Sequence, residues 1–433
     1  MGHKRTTKDT IRFIDLFAGI GGIRKGLEQA CADAGIGAEC VFTSEIKEHA
    51  ISVLRQNHPG EDIAGDITQV KTDDIPDFDV LLAGFPCQAF SAAGKRLGFE
   101  DTRGTLFFDV ARILDAKRPV GFILENVEGL VSHDKDDPKS PMGKTLATIL
   151  GTLDKLGYKV SWRVLNAKDF ALAQDRKRIY ITGTTRNAPC LEGFHTRHTT
   201  LASILQHGQP CAKSRFIDLV LKHYDINRLP GKSFKDKRGG TDNIHSWDIG
   251  LKGPVTDDEK HLLTAILTER RKRKWADDYG IDWMDGMPLT YGHIASFYNG
   301  GGDLQAMLDD LTAKGYLKRE HPKRKAGNRR VQDTSLPLGY NIVAGKMSFA
   351  INKVLDPAGT APTLVAMDME RLYVVDGTGI RNLTLREGLR LFGYPDNYAF
   401  DIPVKQGYDL LGNTVAVPVI KAVAARMLDA LND

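Results

Sequence analysis

The stretch Arg12 to Gly35, RFIDLFAGIGGIRKGLEQACADAG, runs from an apolar segment through a glycine-rich turn into a segment whose apolar residues recur three and four apart. The first part reads as a buried strand and the last as an amphipathic helix. The rhythm continues: CVFTSE, DVLLAGF, VGFILENV and RIYITG read as further buried strands before residue 185, and GTLFFDVARILDAKR as another helix. Strands alternating with helices predict an α/β fold built on a doubly wound, mostly parallel sheet. Ligands of such sheets sit beyond the carboxyl ends of the strands, so the polar residues closing each run are the candidates for chemistry.

The turn Asp15 to Gly22, DLFAGIGG, offers backbone N–H groups at a helix start, where a nucleotide-like ligand would sit. It departs from the dinucleotide fingerprint because Arg24 stands where the third glycine belongs. That glycine permits the close helix–strand packing of a pyrophosphate site, so a nicotinamide oxidoreductase is disfavoured. Glu45 closes the second strand and suits ribose hydroxyls; Asp66, in AGDIT, follows the third. An adenosine ligand without a pyrophosphate, such as S-adenosylmethionine, fits this combination.

Cys87 follows Pro86 at the end of DVLLAGF. A lone cysteine is by default a small apolar core residue. Its place at a strand end, before a segment bearing Lys95, Arg96 and Arg103, is the setting that favours a thiolate. The Ser, Lys and Arg side chains of that segment are also of the types that hold phosphate oxygens. Glu125 and Asn126 close FILENV, and partial burial there would push a carboxyl toward its protonated form. In QDRKR, Arg176 and Arg178 fall on one side of an extended segment. Taken singly, each could be an ordinary surface charge.

The chain has 433 residues, which predicts two domains or one with a large insertion. No apolar run approaches the roughly 20 residues that span a bilayer, and the polar, basic MGHKRTTKDT lacks a secretory apolar core, so cytoplasmic residence is the expectation. Five scattered cysteines without a C-x-x-C pair argue for reduced thiols and no zinc cluster. The net charge is only +4, but ERRKRK (269–274) and KREHPKRKAGNRR (318–330) crowd basic residues into the middle of the chain. Such runs are either a solvated face or a nucleic-acid contact.

From about residue 189 the strand–helix rhythm stops, and residues 190–250 read as irregular. Thr256 and Glu259 then form a capping box before a helix, and Asp303 caps another that Gly315 stops. YLKREHPKRKAGNRRVQ reads as two short strands around a basic turn, so helices followed by a basic hairpin predict a winged-helix-like unit over 256–332. The rhythm returns at RNLTLREGLRLFGYP and closes with a helix from Val417.

Phe17-Ala18-Gly19-x-Gly21-Gly22, Pro86-Cys87-Gln88, Glu125-Asn126-Val127, Gln174-x-Arg176-x-Arg178 and Gly412-Asn413-x-Val415 stand in the order found in DNA cytosine-5 methyltransferases. Over residues 11–185 and 355–433 the chain resembles a bacterial member of that family. The resemblance implies a Rossmann-like S-adenosylmethionine-dependent fold: catalytic domain 1–188, target-recognition domain 189–360, and a return segment 361–433 completing the first. It implies Cys87 as nucleophile at C6 of a flipped-out cytosine, Glu125 as acid at N3, and Arg178 at O2, where with Arg176 it stabilises the charge and the loop. The cofactor would be held by Phe17, Gly19, Gly21, Gly22, Glu45, Ile46, Asp66, Ile67, Pro86, Leu106, Asn413 and Val415, and would leave as S-adenosylhomocysteine. Double-stranded DNA would be held by Gln88, Ser91, Lys95, Arg103 and Thr363. Of the recognition region the resemblance names no residue; the basic hairpin residues Lys323, Arg324, Lys325, Arg329 and Arg330 are expected there from charge alone. A restriction endonuclease acting on the same site is the expected companion, the nucleoid the expected location, and no metal is implied. Two other readings stand beside it: methylation of cytosine in transfer RNA, and a catalytically idle DNA-binding regulator.

Overall fold

Each central strand carries apolar side chains on both faces, so each must be covered on both sides. In the computed structural model, which describes residues 9–86, 106–137, 139–282, 286–327, 329–344, 349–366 and 368–432, that is what happens. Cys87, Gln88, Ser91, Lys95 and Arg103 lie outside the described residues. The chain clusters into two compact units: the first holds residues up to Gln206, Pro357–Met369 and those from Leu383 onward, the second His207–Asp356 and Glu370–Asn382.

The first unit begins β1 (Thr10–Leu16), α1 (Gly22–Asp33), β2 (Gly37–Ser44), α2 (Glu48–Asn57), β3 (Ile63–Ala64), β4 (Val80–Ala83), α3 (Leu106–Lys117), β5 (Gly121–Val127), α4 (Lys144–Lys155), β6 (Lys159–Asn166) and β7 (Lys177–Thr184). The strands form one sheet in the order β3-β2-β1-β4-β5-β7-β6. All neighbours are parallel except β7, which runs antiparallel to β5 and β6. The order turns at β1, the first strand, which puts the crevice beyond its carboxyl end. Alternation then sorts the core. Ile14, Leu16, Leu81, Ala83, Phe122 and Leu124 face α3 and α4, while Phe13, Val80, Leu82 and Ile123 face the other way, toward α1. The expected strands are all present; β6, with a half-exposed and more polar sequence, is one the apolar-run criterion passed over.

The second unit contains α5 (Arg215–His223), β8 (Ser233–Phe234), β9 (Asn243–Ile244), α6 (Asp257–Glu269), α7 (Lys274–Asp277), α8 (Tyr291–Ala295), α9 (Leu304–Ala313), β10 (Leu317–Glu320), β11 (Lys323–Ala326), β12 (Arg329–Gln332), β13 (Gly339–Ile342), β14 (Lys353–Val354), β15 (Leu372–Asp376) and β16 (Gly379–Asn382). Residues 190–250 are not wholly irregular, because Ser214 caps α5 and Phe216, Ile217 and Val220 give it a buried stripe. Thr256 and Glu259 make the reciprocal capping box, and Asp303 accepts from the N–H groups of Gln305 and Ala306. The basic hairpin is β11–β12 alone, since β10 pairs instead with β13. One core joins α6, α9, β10 and β13 through Leu263, Ile266, Leu308, Leu317 and Ile342; another joins α5 to the sheet β16-β15-β14-β8-β9.

The chain then returns to the first unit as α10 (Leu385–Leu391), α11 (Val404–Asn413) and α12 (Val417–Asn432). Helix α12 lies against α1, where any side chain at Gly26 would overlap Ile420. The unit boundaries fall elsewhere than expected. Residues 200–206 stay with the first unit because the N–H groups of Leu201 and Ala202 bond the carbonyls of Gly359 and Pro357. Residues 370–382 join the second because β15 pairs with β14. Among the described residues no helix is long and apolar enough to cross a membrane.

Candidate active site

The carboxyl ends of β1, β2, β4 and β5 open onto a cavity of about 610 Å³ in the first unit, closed from the other side by residues 410–414 of α11 and its exit. Of the expected site residues, Phe17, Gly19, Glu45, Ile46, Asp66, Ile67, Pro86, Leu106, Glu125, Arg176, Arg178 and Asn413 line it. Residues from both ends of the chain meet there. A shallower hollow of about 650 Å³, bordered by Arg197, Arg390 and Asp396, holds none of them.

The glycine-rich turn is shaped for a ligand at its start and for packing at its end. Phe17 and Gly19 both take left-handed backbone conformations, φ 54° and 56°, which cost a non-glycine residue about 1 kcal/mol or more. This aims the Gly19 N–H at Glu45, whose Oε2 accepts it at 2.7 Å. The other Glu45 oxygen accepts from the N–H groups of Ile46 and Lys47, each at 2.8 Å. Gly22 lies off the cavity and serves close approach: a Cβ there would come within 2.6 Å of the Tyr394 hydroxyl and the Val415 side chain. Gly21 and Val415 likewise lie off the cavity lining, Val415 being buried in the core beside α1. Arg24, in place of the third glycine, is buried and grips Glu61 with two parallel bonds of 2.6 and 2.7 Å, and Glu28 with a third. It staples α1 to the loop before β3.

At the far end of the cavity Glu125 is 8 % exposed, and its Oε1 makes no hydrogen bond among the described residues. Arg178 Nε stands 3.3 Å from that oxygen. Burial raises the Glu125 pKa above the usual carboxyl range, opposed by Arg178 and Arg176. Asn126 donates to the carbonyl of Phe85 at 2.9 Å, fixing the backbone two residues before Cys87.

Arg176 and Arg178 alternate along an extended segment, yet they are held differently. Arg176 is 3 % exposed and donates to the carbonyls of Leu364 (3.0 Å) and Thr414 (2.7 Å), binding two late segments of chain to the cavity wall. Burial lowers its pKa to about 10. Arg178 keeps its guanidinium at the cavity. Thr363 donates to the Asp175 carbonyl at 2.7 Å and shares a neighbouring surface pocket with Arg178 and Lys177.

Sequence reading passed over a link across the mouth. Asp409 Oδ2 accepts from Lys47 Nζ at 2.7 Å and lies 2.9 Å from His49 Nε2, while Asn413 donates to the Asp409 carbonyl at 2.8 Å. The available signal was spacing, for Asp409 precedes Asn413 by one helical turn and Lys47 follows Glu45 by two residues. It also passed over Asp15, buried with both oxygens lacking hydrogen bonds among the described residues and its pKa pushed up to about 8 by that burial. Among the described residues no cluster of metal-ligating side chains gathers.

Residues 11–429 match the model of the C-5 cytosine-specific DNA methylase family. The chain is 65% identical to the Type II methyltransferase M.NlaIV of Neisseria lactamica over 421 residues, 97% of this chain and 99% of that one. It is 39% identical to M.BanI of Aneurinibacillus aneurinilyticus over 440 residues, 95% of this chain and 94% of that one. Among solved structures, the Entamoeba histolytica methyltransferase EhMeth matches with a TM-score of 0.51 at 16% identity, covering 98% of this chain and 99% of that one. An Escherichia coli prophage-encoded enzyme described as a putative DNA modification methyltransferase matches with a TM-score of 0.51 at 17%, over 98% and 100%. Those two likenesses speak for the fold alone. With the family model spanning nearly the whole chain and relatives this similar along their full lengths, the chain belongs to the C-5 cytosine-specific DNA methylase family and is a DNA cytosine-5 methyltransferase.

Proposed function

We propose that the cavity is where a cytosine, rotated out of double-stranded DNA, meets S-adenosylmethionine, and that Cys87, Glu125 and Arg178 activate the ring. The observation that carries this is Glu125: a buried carboxyl with an oxygen free of hydrogen bonds among the described residues, beside a guanidinium, at the strand end adjoining the one that leads into Cys87. Such a group is biased toward the protonated form and can donate to a ring nitrogen.

In this reading the Cys87 thiolate adds to C6 while Glu125 donates at N3 and Arg178 holds O2, so the ring's electrons shift toward C5. Bound S-adenosylmethionine supplies an electrophilic methyl group to that carbon. Loss of the C5 proton to a base and expulsion of the thiolate then restore the aromatic ring and free Cys87. Arg176 acts through the segments it ties down, as a positioning residue.

The cavity wall suits the cofactor. Glu45 is held by three backbone N–H groups, which leaves about one of its roughly four acceptor sites for a ribose hydroxyl. Ile46 is 72 % exposed, a large apolar side chain at the wall that a flat ring would cover. Asp66 accepts from the Thr68 N–H with one oxygen, and Asn413 reaches the mouth from α11.

We assign Gln88, Ser91, Lys95, Arg103 and Thr363 to the DNA backbone near the flipped base, and the second unit, with its winged-helix order of helices and strands, to target recognition. The relatives are Type II methyltransferases, so a restriction endonuclease reading the same site is the natural companion, and work on chromosomal DNA puts the enzyme in the bacterial cytoplasm, at the nucleoid. The test is transfer of tritiated methyl groups to DNA: Cys87→Ser should abolish it and leave DNA binding in place. Full transfer by Cys87→Ser would end the covalent reading.

A further inference from the structure

In the second unit, α6, α8 and α9 are followed by β10, a two-stranded ribbon and β13, and Leu289 bridges to Tyr340 in β13. Helix-turn-helix proteins of this general plan lay a helix in the major groove. The helix in that position is α9, and its surface is wrong for the task. From Asp303 to Ala313 the chain has three aspartates and no cation, against one phosphate charge per roughly 1.7 Å of duplex. Asp303 and Asp309 are exposed. Gln305, which could read a base edge, is committed to Asp309 (2.9 Å) and to the Tyr340 hydroxyl (3.2 Å).

The ribbon is the reverse. Arg324 to Gly327 and Arg329 to Gln332 are exposed on both faces, so no core explains why β11 and β12 pair. Lys325 stands directly opposite Arg330, and like charges facing each other across a ribbon repel. The five cations divide by position. At the root, Arg324 is ion-paired with Asp333, and Lys323 lies 3.8 Å from the buried Glu320. Glu320 is itself held by Lys318 and Asn341, and the Asp333 N–H bonds the Pro322 carbonyl at 2.8 Å. Toward the tip, neither Lys325 nor Arg329 has an acidic partner among the described residues.

We propose that the second unit docks on DNA through the tip of this ribbon, with Lys325, Arg329 and Arg330 on phosphates in or beside a groove, and that α9 stays clear of the duplex. Lys323 and Arg324 hold the ribbon upright. A two-stranded ribbon is of a size the major groove admits. The inference rests on DNA being the substrate.

The test is binding of a fluorescent 30-base-pair duplex of mixed sequence to the full-length protein between 50 and 200 mM KCl. Lys325→Gln with Arg329→Gln should weaken binding about tenfold or more and flatten the log–log salt slope by about 1.8. Lys323→Gln should leave the slope within a few tenths, and Gln305→Ala with Asp309→Asn should change affinity less than about twofold or tighten it. An unchanged slope in the tip variant, with the far-ultraviolet spectrum and Tm of wild type, overturns the inference; so does a greater loss from the α9 variant. If wild-type protein transfers methyl groups to DNA while the tip variant keeps its slope, the ribbon inference alone fails. If wild type transfers none, the substrate reading fails instead.

Discussion

The strand ends of the first unit and the ribbon of the second both present charged side chains, but they are held in opposite ways. Glu125, Asn126 and Arg176 are buried, and each is placed by its own backbone partners or by one ionic neighbour. The cations at the ribbon's tip, Lys325, Arg329 and Arg330, are exposed and similar to one another. A buried polar group must be matched atom by atom or it costs about 1–3 kcal/mol, so its residue type cannot drift; an exposed cation near a polyanion can be replaced by a neighbour. Chemistry concentrated in single buried groups should fail sharply on substitution, and chemistry spread over a charged surface should fail by degrees.

The largest break in that comparison is at Glu125. Glu125→Gln keeps the shape and removes the transferable proton, and should lower kcat about 10²- to 10³-fold with little change in DNA affinity. Rapid-quench methyl transfer measures it, and a loss below about fivefold would make Glu125 a structural carboxyl. The two arginines sharpen the point. Arg176→Lys loses at least one of the bonds to Leu364 and Thr414 in a buried site and should cost about 2–4 kcal/mol of unfolding free energy. Arg178→Lys should cost about 1 kcal/mol or less in stability while lowering methyl transfer at least tenfold. Urea unfolding and turnover side by side decide whether the two arginines divide in this way.

Asp15 tests burial without catalysis. Its folded pKa is raised to about 8 from an ordinary carboxyl value of 3.8, so the unfolded chain ionises first as pH rises. Stability associated with the neutral carboxyl is therefore present below about pH 4 and is lost on the way to pH 8, by up to about 1.4 kcal/mol per pH unit. Asp15→Asn removes the titration. Its Tm relative to wild type should climb from pH 5 to pH 8 and then level; a flat difference would mean that Asp15 is solvated.

How much of this was legible in the sequence follows the same division. The sheet could be read because fully covered strands are continuous apolar runs, and the cavity because each run ends on a residue whose type is fixed by its chemistry. Val415 and Gly22 carry motif letters yet lie off the cavity lining and packed against one another, a placement the motif letters alone do not reveal. Strand β6 escaped because much of it is polar and half-exposed, and the true pairing of β10 because its partner β13 comes only after the hairpin; α5 carried a local signal, Ser214 as cap before Phe216, Ile217 and Val220, that the reading of 190–250 passed over. The split of the ribbon into root and tip is set by Glu320 and Asp333, and ion pairs across a turn leave no periodic trace.

The smallest expected effect lies between the two extremes. Asp409 is half-exposed, and a single exposed ion pair is worth about 0–1 kcal/mol; yet it gathers Lys47 from the loop after Glu45 and His49 from the first turn of α2, and carries Asn413 one turn later. Asp409→Lys would set three basic groups together at the mouth of the cavity and push the Glu45 loop away from α11. S-adenosylhomocysteine binding by calorimetry should weaken about 3- to 10-fold, and Lys47→Asp combined with Asp409→Lys should recover most of the loss, because the charge pair is restored in reverse. Recovery would make the link a positioning contact of the cofactor site. If the double variant binds no better than Asp409→Lys, the carboxylate acts through Asn413 alone, and the mouth belongs with the sharply failing buried groups rather than with the graded surface.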